Sequence, residues 1–464
     1  MIQFLVILII GVYPRYKEYE VVKSGEMSLW RMDEVRAESF IPEMDISFCG
    51  FGLYDSNRKG DGVFELMIRQ GFPIHPFLKG EVNIGVFTET GDGQGFLPYY
   101  DPLLFPKYII HNFEPEPVIE HINFDVRTEK AYLLFDIGSI SIGTGRNRLK
   151  VGPGYRSNLL LSGRGQPLNF LYNARVKKGP LHLFAFNAGI EDSTGEKRIA
   201  CQRIELYLSY ITIGVTEAVL HRRENFLKYV NPLEFYYITQ RRGKDNDDNL
   251  VASGDITFTK NGKKYYLELL FDDPIIFSNR PFKGGMMLGM YLTDPFGMPS
   301  SDFRIEATAL PRWTYTHDYS NQINALTANG LPLGFFGGSD CIDVYTEFTK
   351  YWTRDTVYSL LPAPYSLLPT SYFSLILEYL AHGDGKLNIG WQDEKENYPH
   401  PRKIKIPSGC KEERLRVGIK GTLAKEKFSI TTGVYVERIK NYMNRDGNNL
   451  TRVSIKTATL FTLP

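Results

Sequence analysis

Apolar and polar positions alternate in three consecutive runs near the C-terminal end of the chain, at 415–423, 428–438 and 450–461. In the first, Leu415, Val417, Ile419 and Leu423 fall on one face, while Arg416, Gly418 and Lys420 fall on the other. In the second, Phe428, Ile430, Val434 and Val436 alternate with Ser429, Thr431 and Tyr435; in the third, Val453, Ile455 and Phe461 alternate with Ser454 and Lys456. Only AKEK and a turn carrying Asn444, Asp446, Gly447, Asn448 and Asn449 separate them. Alternation with period 2 over about ten residues is what a membrane-spanning barrel requires, since each strand shows lipid an apolar side and the lumen a polar one.

The same reading extends towards the N-terminus. Runs at 45–53, 63–69, 81–88, 131–142, 181–190, 204–215, 233–240, 255–260, 264–271, 303–315, 342–352, 371–382 and 386–391 read as strands. The Asn261-Gly262 step is the strongest short hairpin signal. Two stretches, 216–229 and 320–328, are compatible with helix. At about ten residues per strand plus a connection, the predicted fold is all-β: a transmembrane antiparallel β-barrel of roughly 16–20 strands with a few short helices.

Residues 1–12, MIQFLVILIIGV, are apolar but too short to span a bilayer as a helix. They read as the apolar region (2–12) of a signal peptide over 1–20, followed by a periplasmic segment at 21–45 and the barrel at 46–464. The Pro-rich stretch 96–117 reads as a long loop, lid or plug.

Composition narrows the function classes. Aromatics make up 14% of residues, with 29 Tyr and 30 Phe against 4 Trp, as girdles at the lipid–water boundary would need. A mean hydropathy of −0.24 excludes a helical multi-span protein but suits a barrel, whose strands are half polar. The net charge of +1 and the absence of a basic stripe argue against a nucleic-acid partner. Cys49, Cys201, Cys341 and Cys410 lie far apart, without ligand spacing, and read as buried or lumen-facing thiols; a long-range disulfide stays open. The histidines form no metal motif, and no cofactor is expected.

Four stretches taken in order resemble the Wzi family of capsule assembly proteins. They are VGPGY at 151–155 (with Gly152, Pro153 and Gly154) running into LLLS at 159–162; RRENFLKYVNP at 222–232; YLELLFDD at 266–273; and GLPLGFFGGSDCIDVY at 330–345. The resemblance covers about 130–350 and implies a non-enzymatic outer-membrane barrel of a Gram-negative-type bacterium that binds surface polysaccharide and supports capsule assembly. Its implied partners are that glycan, outer-membrane lipid and the barrel-assembly machinery. The family-like positions are Gly152, Pro153, Gly154, Ser162, Glu268, Asp272, Asp273, Gly334 and Gly338.

Catalysis finds little support among the same residues. Asp272 and Asp273 are adjacent and point to opposite faces of a strand, whereas Glu268 and Asp272 share one. Ser162 lacks the flanks of a nucleophile elbow, and Asp340 and Asp343 miss the calcium-loop spacing. Sugar recognition, by contrast, needs aromatic faces and planar polar groups, with cations for an acidic glycan. Loop-like stretches 146–156, 240–248, 352–358 and 391–405 carry that mix. Their candidate contacts are Arg146, Arg148, Tyr155, Arg156, Arg241, Arg242, Trp352, Arg354 and Trp391. A porin or substrate-specific channel remains the alternative, since it would show the same alternation. An outer-membrane hydrolase is a third reading.

Overall fold

The computed structural model describes residues 44–55, 58–90, 123–163, 167–191, 197–222, 227–242, 248–272, 280–317, 324–328, 331–352, 371–425 and 428–463. The expected signal peptide, residues 21–43 of the N-terminal segment and the Pro-rich stretch 96–117 lie outside them, while residues 44 and 45 already belong to the first strand.

An 18-stranded antiparallel sheet closes on itself. Its first strands are β1 (Met44–Asp55), β2 (Arg58–His75), β3 (Leu78–Thr90), β4 (Asn123–Ile137) and β5 (Ile140–Asn147). After the short ribbon strands β6 (Lys150–Val151) and β7 (Leu161–Ser162), the wall continues with β8 (Leu168–Lys178), β9 (Leu181–Gly189), β10 (Lys197–Leu208) and β11 (Ile211–Arg222). Helix α1 (Tyr236–Arg242) precedes β12 (Asn249–Lys260), β13 (Lys263–Asp272), β14 (Gly284–Thr293) and β15 (Ser301–Leu310). A second ribbon, β16 (Thr327–Ala328) and β17 (Leu331–Pro332), leads into β18 (Cys341–Trp352) and β19 (Ser371–His382). Helix α2 (Trp391–Glu394) then precedes β20 (Glu412–Lys425), β21 (Phe428–Lys440) and β22 (Leu450–Leu463). The seam joins β1 to β22, from Ile46 opposite Leu463 to Asp55 opposite Ser454. Closure leaves no open edge among the described strands, so apart from local bulges the wall's backbone groups pair strand to strand.

Two-residue turns such as 138–139, 179–180, 209–210 and 261–262 gather at the end that holds Met44 and Leu463. Long connections, 148–167, 223–248, 311–340 and 383–411, leave from the other end. Asn261 and Gly262 both take positive φ, 50° and 73°, the pair of left-handed residues that a tight hairpin needs.

Alternation sets the wall's two faces. On β20, Leu415, Val417, Ile419 and Leu423 are exposed, while Arg414, Arg416 and Lys420 are buried inside. On β13, Lys264, Tyr266, Glu268, Leu270 and Asp272 point inward, so Glu268 and Asp272 do share the lumen face. The exposed apolar side chains form the lipid-facing surface of a transmembrane barrel.

Several element assignments need correction. Residues 204–215 are not one strand but a hairpin, β10–β11, turning at Ser209, which adopts φ 37° without a Gly to announce it. Residues 131–142 likewise span a turn, at Gly138 (φ 60°). The helix expected at 216–229 is strand as far as Arg222, and the strand expected at 233–240 contains α1. At the top of β11 alternation fails because both faces are covered: Ala218 and Leu220 inside, Val219 outside, all fully buried. The strand read at 303–315 stops at Leu310, before Pro311, and 386–391 is irregular up to α2. Within 320–328, the described residues 324–328 hold a turn and β16 rather than helix.

Placing a charge on the lipid face costs about 2–4 kcal/mol at the bilayer midplane. Val417→Arg should therefore lower the unfolding free energy by about that amount in a urea titration of the vesicle-reconstituted barrel. An unchanged midpoint would mean that this face does not meet hydrocarbon.

Candidate functional site

Two long connections fold back into the barrel. The first carries the ribbon β6–β7, the second the ribbon β16–β17. The backbone N–H of Ser162 donates to the Leu333 carbonyl at 2.9 Å and links them. Tyr315 adds a second tie: its hydroxyl donates to the Leu159 carbonyl at 2.7 Å and accepts from the Phe335 N–H at 2.9 Å. Burial pushes that phenol's pKa well above its ordinary value, so it keeps its donor. Leu159, Leu160, Leu161, Leu333 and Phe335 thereby pack against inward Phe170, Phe186, Ile199, Leu220, Val251, Leu270 and Leu310. An apolar plug sits on an apolar patch of the inner wall.

The family-like glycines make this close approach possible. A Cβ on Gly334 would lie 2.1 Å from the Leu159 carbonyl oxygen, and one on Gly154 would lie 1.9 Å from that of Ser157. Gly152 (φ 120°) and Gly338 (φ 70°) occupy backbone conformations that L side chains rarely adopt. Buried Pro153 lies between Gly152 and Gly154. The carboxylates named with them also hold the plug: Glu268 accepts the Leu159 N–H at 3.0 Å, and Asp272 accepts the Tyr315 N–H at 2.6 Å. Ser162 spends its hydroxyl on the Leu333 carbonyl. These contacts are scaffold contacts and argue against a nucleophile or an acid–base pair. Asp273 lies outside the described residues.

On the plug's other flank the lumen is charged. Arg156, 2% exposed, pairs with Asp343 on β18 at 2.8 Å and with Glu378 on β19. Its guanidinium lies 4.7 Å from the Phe336 ring and 4.3 Å from the Tyr345 ring. Arg416 carries the network on to Glu378 and Glu437. Tyr155 donates its N–H to Glu306 at 2.7 Å, and Arg304 lies 3.2 Å from its ring. Lys420 pairs with Glu347 at 3.3 Å. A cavity of about 10 Å³ remains between Arg156, Phe336, Glu378, Leu380, Arg414, Arg416 and Glu437, room for about one water.

Above this lies a cap. Arg312, just past β15, donates two hydrogen bonds to Glu394, at 2.8 and 2.6 Å, and one to the Ser408 hydroxyl at 2.7 Å. It also pairs with Asp384 and lies 4.7 Å from the Tyr398 ring. Burial works to lower its pKa, but Glu394 and Asp384 outweigh that and the net direction is upward. Trp313 donates to Glu394 at 2.9 Å and meets Tyr398 edge-on at 5.6 Å. Asp340 accepts the N–H groups of Ser408 and Gly385 at 2.8 and 3.0 Å. The connection 383–411 is thus fixed to 311–340, and Lys386, Lys395, Arg402, Lys403 and Lys405 are exposed upon it.

The candidate glycan contacts do not converge on one site. Arg146, at the long-loop end of β5, pairs with Glu191, and half-buried Arg148 follows it. Tyr155 and Arg156 belong to the filled lumen. Arg241 lies on α1, 4.5 Å from the Tyr237 ring, and Arg242 ends that helix. Trp352 is 40% exposed on the outer wall at the terminal end of β18, far in register from the cap. Trp391 is buried within the cap, and Arg354 lies outside the described residues. Arg312 was missed. Its signal is visible only as an Arg-Trp pair directly after Pro311, with its closest acidic partners, Asp384 and Glu394, more than seventy residues away.

No family model and no curated protein matches the chain. Solved structures do. It is similar to Wzi, described as an outer membrane protein involved in group 1 capsule assembly in Escherichia coli and a carbohydrate-binding β-barrel. That likeness has a TM-score of 0.58 at 13% identity and covers 93% of this chain and 87% of that one. It is also similar to Pseudomonas aeruginosa OccD3 (OpdP), with TM-score 0.45, 10% identity and 91% and 92% coverage. For P. aeruginosa opdK the values are 0.48, 8%, 90% and 98%. At such identities the likeness to Wzi shows the fold, an outer-membrane-type β-barrel.

Removing one partner of a buried ion pair typically costs about 3–5 kcal/mol, because the other charge stays behind uncompensated. Arg156→Ala should therefore lower the temperature at which the folded, fast-migrating band is lost in semi-native electrophoresis. Adding Asp343→Asn should recover part of that loss. Equal stability of wild type and single variant would refute the coupling.

Proposed function

We propose that the chain is a non-enzymatic barrel of a Gram-negative-type outer membrane that binds surface polysaccharide on its cap and supports capsule assembly or attachment. One observation carries this over a channel. Inward charges that a porin would leave in water are buried here: Asp343 at 1%, Glu347 at 0%, Arg304 at 1% and Lys420 at 1%. Such burial follows when folded-in loops displace the lumen's water, and it favours a surface for binding over a path for solutes. The likeness to a carbohydrate-binding barrel supports the same reading.

The contact surface in this reading is the loop at 391–405, held from below by Arg312. Exposed Lys395, Arg402, Lys403 and Lys405 outnumber its exposed acids Asp393 and Glu396, which suits an acidic glycan. Outer-membrane lipid and the barrel-assembly machinery are the other partners this role requires.

Exposed charge contacts contribute about 0.2–1 kcal/mol each. Lys395→Glu, Lys403→Glu and Lys405→Glu together should then weaken retention on an immobilised acidic polysaccharide by roughly 3- to 150-fold. Wild-type protein that is not retained would sink the glycan reading. In planar bilayers the wild type should give no stable porin-sized steps; regular large steps would instead favour the channel.

A further inference from the structure

The outer wall is too short on one side. On β20, outward apolar residues run from Leu415 to Leu423, about 27 Å along the strand and roughly 20 Å of height at a tilt near 40°. On β10 the exposed run is Ile204 to Leu208, and on β11 it lies within Ile211 to Val215. Each gives only roughly 10 Å of height, against an apolar band of about 25 Å for barrels of this kind. Directly above lies a polar row, Gln202 and Glu217, facing the same way and hydrogen-bonded to each other at 2.5 Å. Bare, this carboxylate would stand at the level of acyl chains.

Residues 227–242 cover it. Tyr229 and Tyr236 pack on outward Ala200, Val219 and Leu250, forming a small core on the outside of the barrel. Glu217 accepts the N–H groups of Tyr236 and Tyr237 at 2.9 and 2.7 Å, and so holds the first turn of α1. The Tyr229 hydroxyl donates to Asp248 at 2.6 Å, and Tyr172 on the outer wall donates to the Val230 carbonyl at 3.0 Å. The far side of this segment carries Leu227 (71% exposed), Leu233 (84%), Phe235 (63%), Tyr237 (43%) and Ile238 (45%).

We propose that residues 227–242 form a lipid-immersed flap whose outer side chains sit among the acyl chains of the leaflet at the long-loop end. The segment raises the apolar wall of β10–β12 from Ile204 to the level of Ala200, a rise of roughly 10 Å that brings this side close to β20. Arg241, over the Tyr237 ring, then directs its charge towards the headgroups while its stem stays in the apolar layer. The inference rests on the transmembrane fold and is independent of the polysaccharide reading.

The test uses the full chain with Cys49→Ser and Cys410→Ser, since Cys201 and Cys341 are buried. A nitrobenzoxadiazole label is placed at Phe235→Cys or, separately, at Leu233→Cys, in phosphatidylcholine vesicles. Leu377→Cys on the bare wall and Asn448→Cys in an exposed connection are the references. Retention of the folded band confirms each labelled protein before measurement. Doxyl-labelled phosphatidylcholine should quench the flap labels as strongly as the Leu377 label, and iodide should quench them several-fold less than the Asn448 label. Quenching that matches Asn448 would overturn the proposal. So would protection from both quenchers with self-quenching that grows with protein density, the signature of a second copy seated there.

Discussion

Hydrocarbon offers the peptide group no hydrogen-bond partner, and every feature of this chain follows from that constraint. A sheet meets it only by closing, which the β1–β22 seam accomplishes. Closure with period-2 side chains then forces each strand to serve two environments at once. That is why Arg416 and Val417, neighbours in sequence, end up in an ion-pair network and in lipid respectively. The turns inherit the same demand. Those at the terminal end are mostly tight, leaving the longer connections at the other end as the main material for function.

What those connections do depends on a balance between hydration and pairing. A water-filled lumen would solvate the inward carboxylates and guanidiniums individually. The inserted loops expel that water, and the charges then require partners within hydrogen-bond reach. Arg156 supplies one from the plug itself, answering Asp343 and Glu378 on the wall. Plug and wall are therefore fixed to each other on two chemistries, apolar contact at Leu159–Leu161 and ion pairing at Arg156. Neither can loosen without exposing the other.

Period-2 alternation made the barrel class, the strand range and both faces of β20–β22 legible, because those strands have lipid on one side and polar lumen on the other. It failed where that contrast disappears. β11 near Ala218–Leu220 is apolar on both faces, since the plug covers one and the flap the other. β14 is rich in Gly and Met, residues that carry no strand preference, and β8 is interrupted by a bulge at Phe170/Tyr172. Ser209 turns a hairpin without a glycine. The glycines of the family-like stretches and the carboxylates Glu268 and Asp272 stand out in the sequence as a group, and in the structure their contacts seat the plug. The Arg312 staple was invisible because Glu394, Asp384 and Ser408 reach it only through the fold.

Plug and flap answer one geometric problem from opposite sides. The wall strands β10–β12 carry side chains that neither solvent suits. Ile199, Cys201, Leu220 and Val251 would meet water inside, and Gln202 and Glu217 would meet lipid outside. An apolar segment from 148–167 covers the first set, and a polar-backed segment from 227–242 covers the second. The local sequence of the wall thus makes sense only with both segments docked. With either segment undocked, this sector would turn mismatched side chains towards water or lipid.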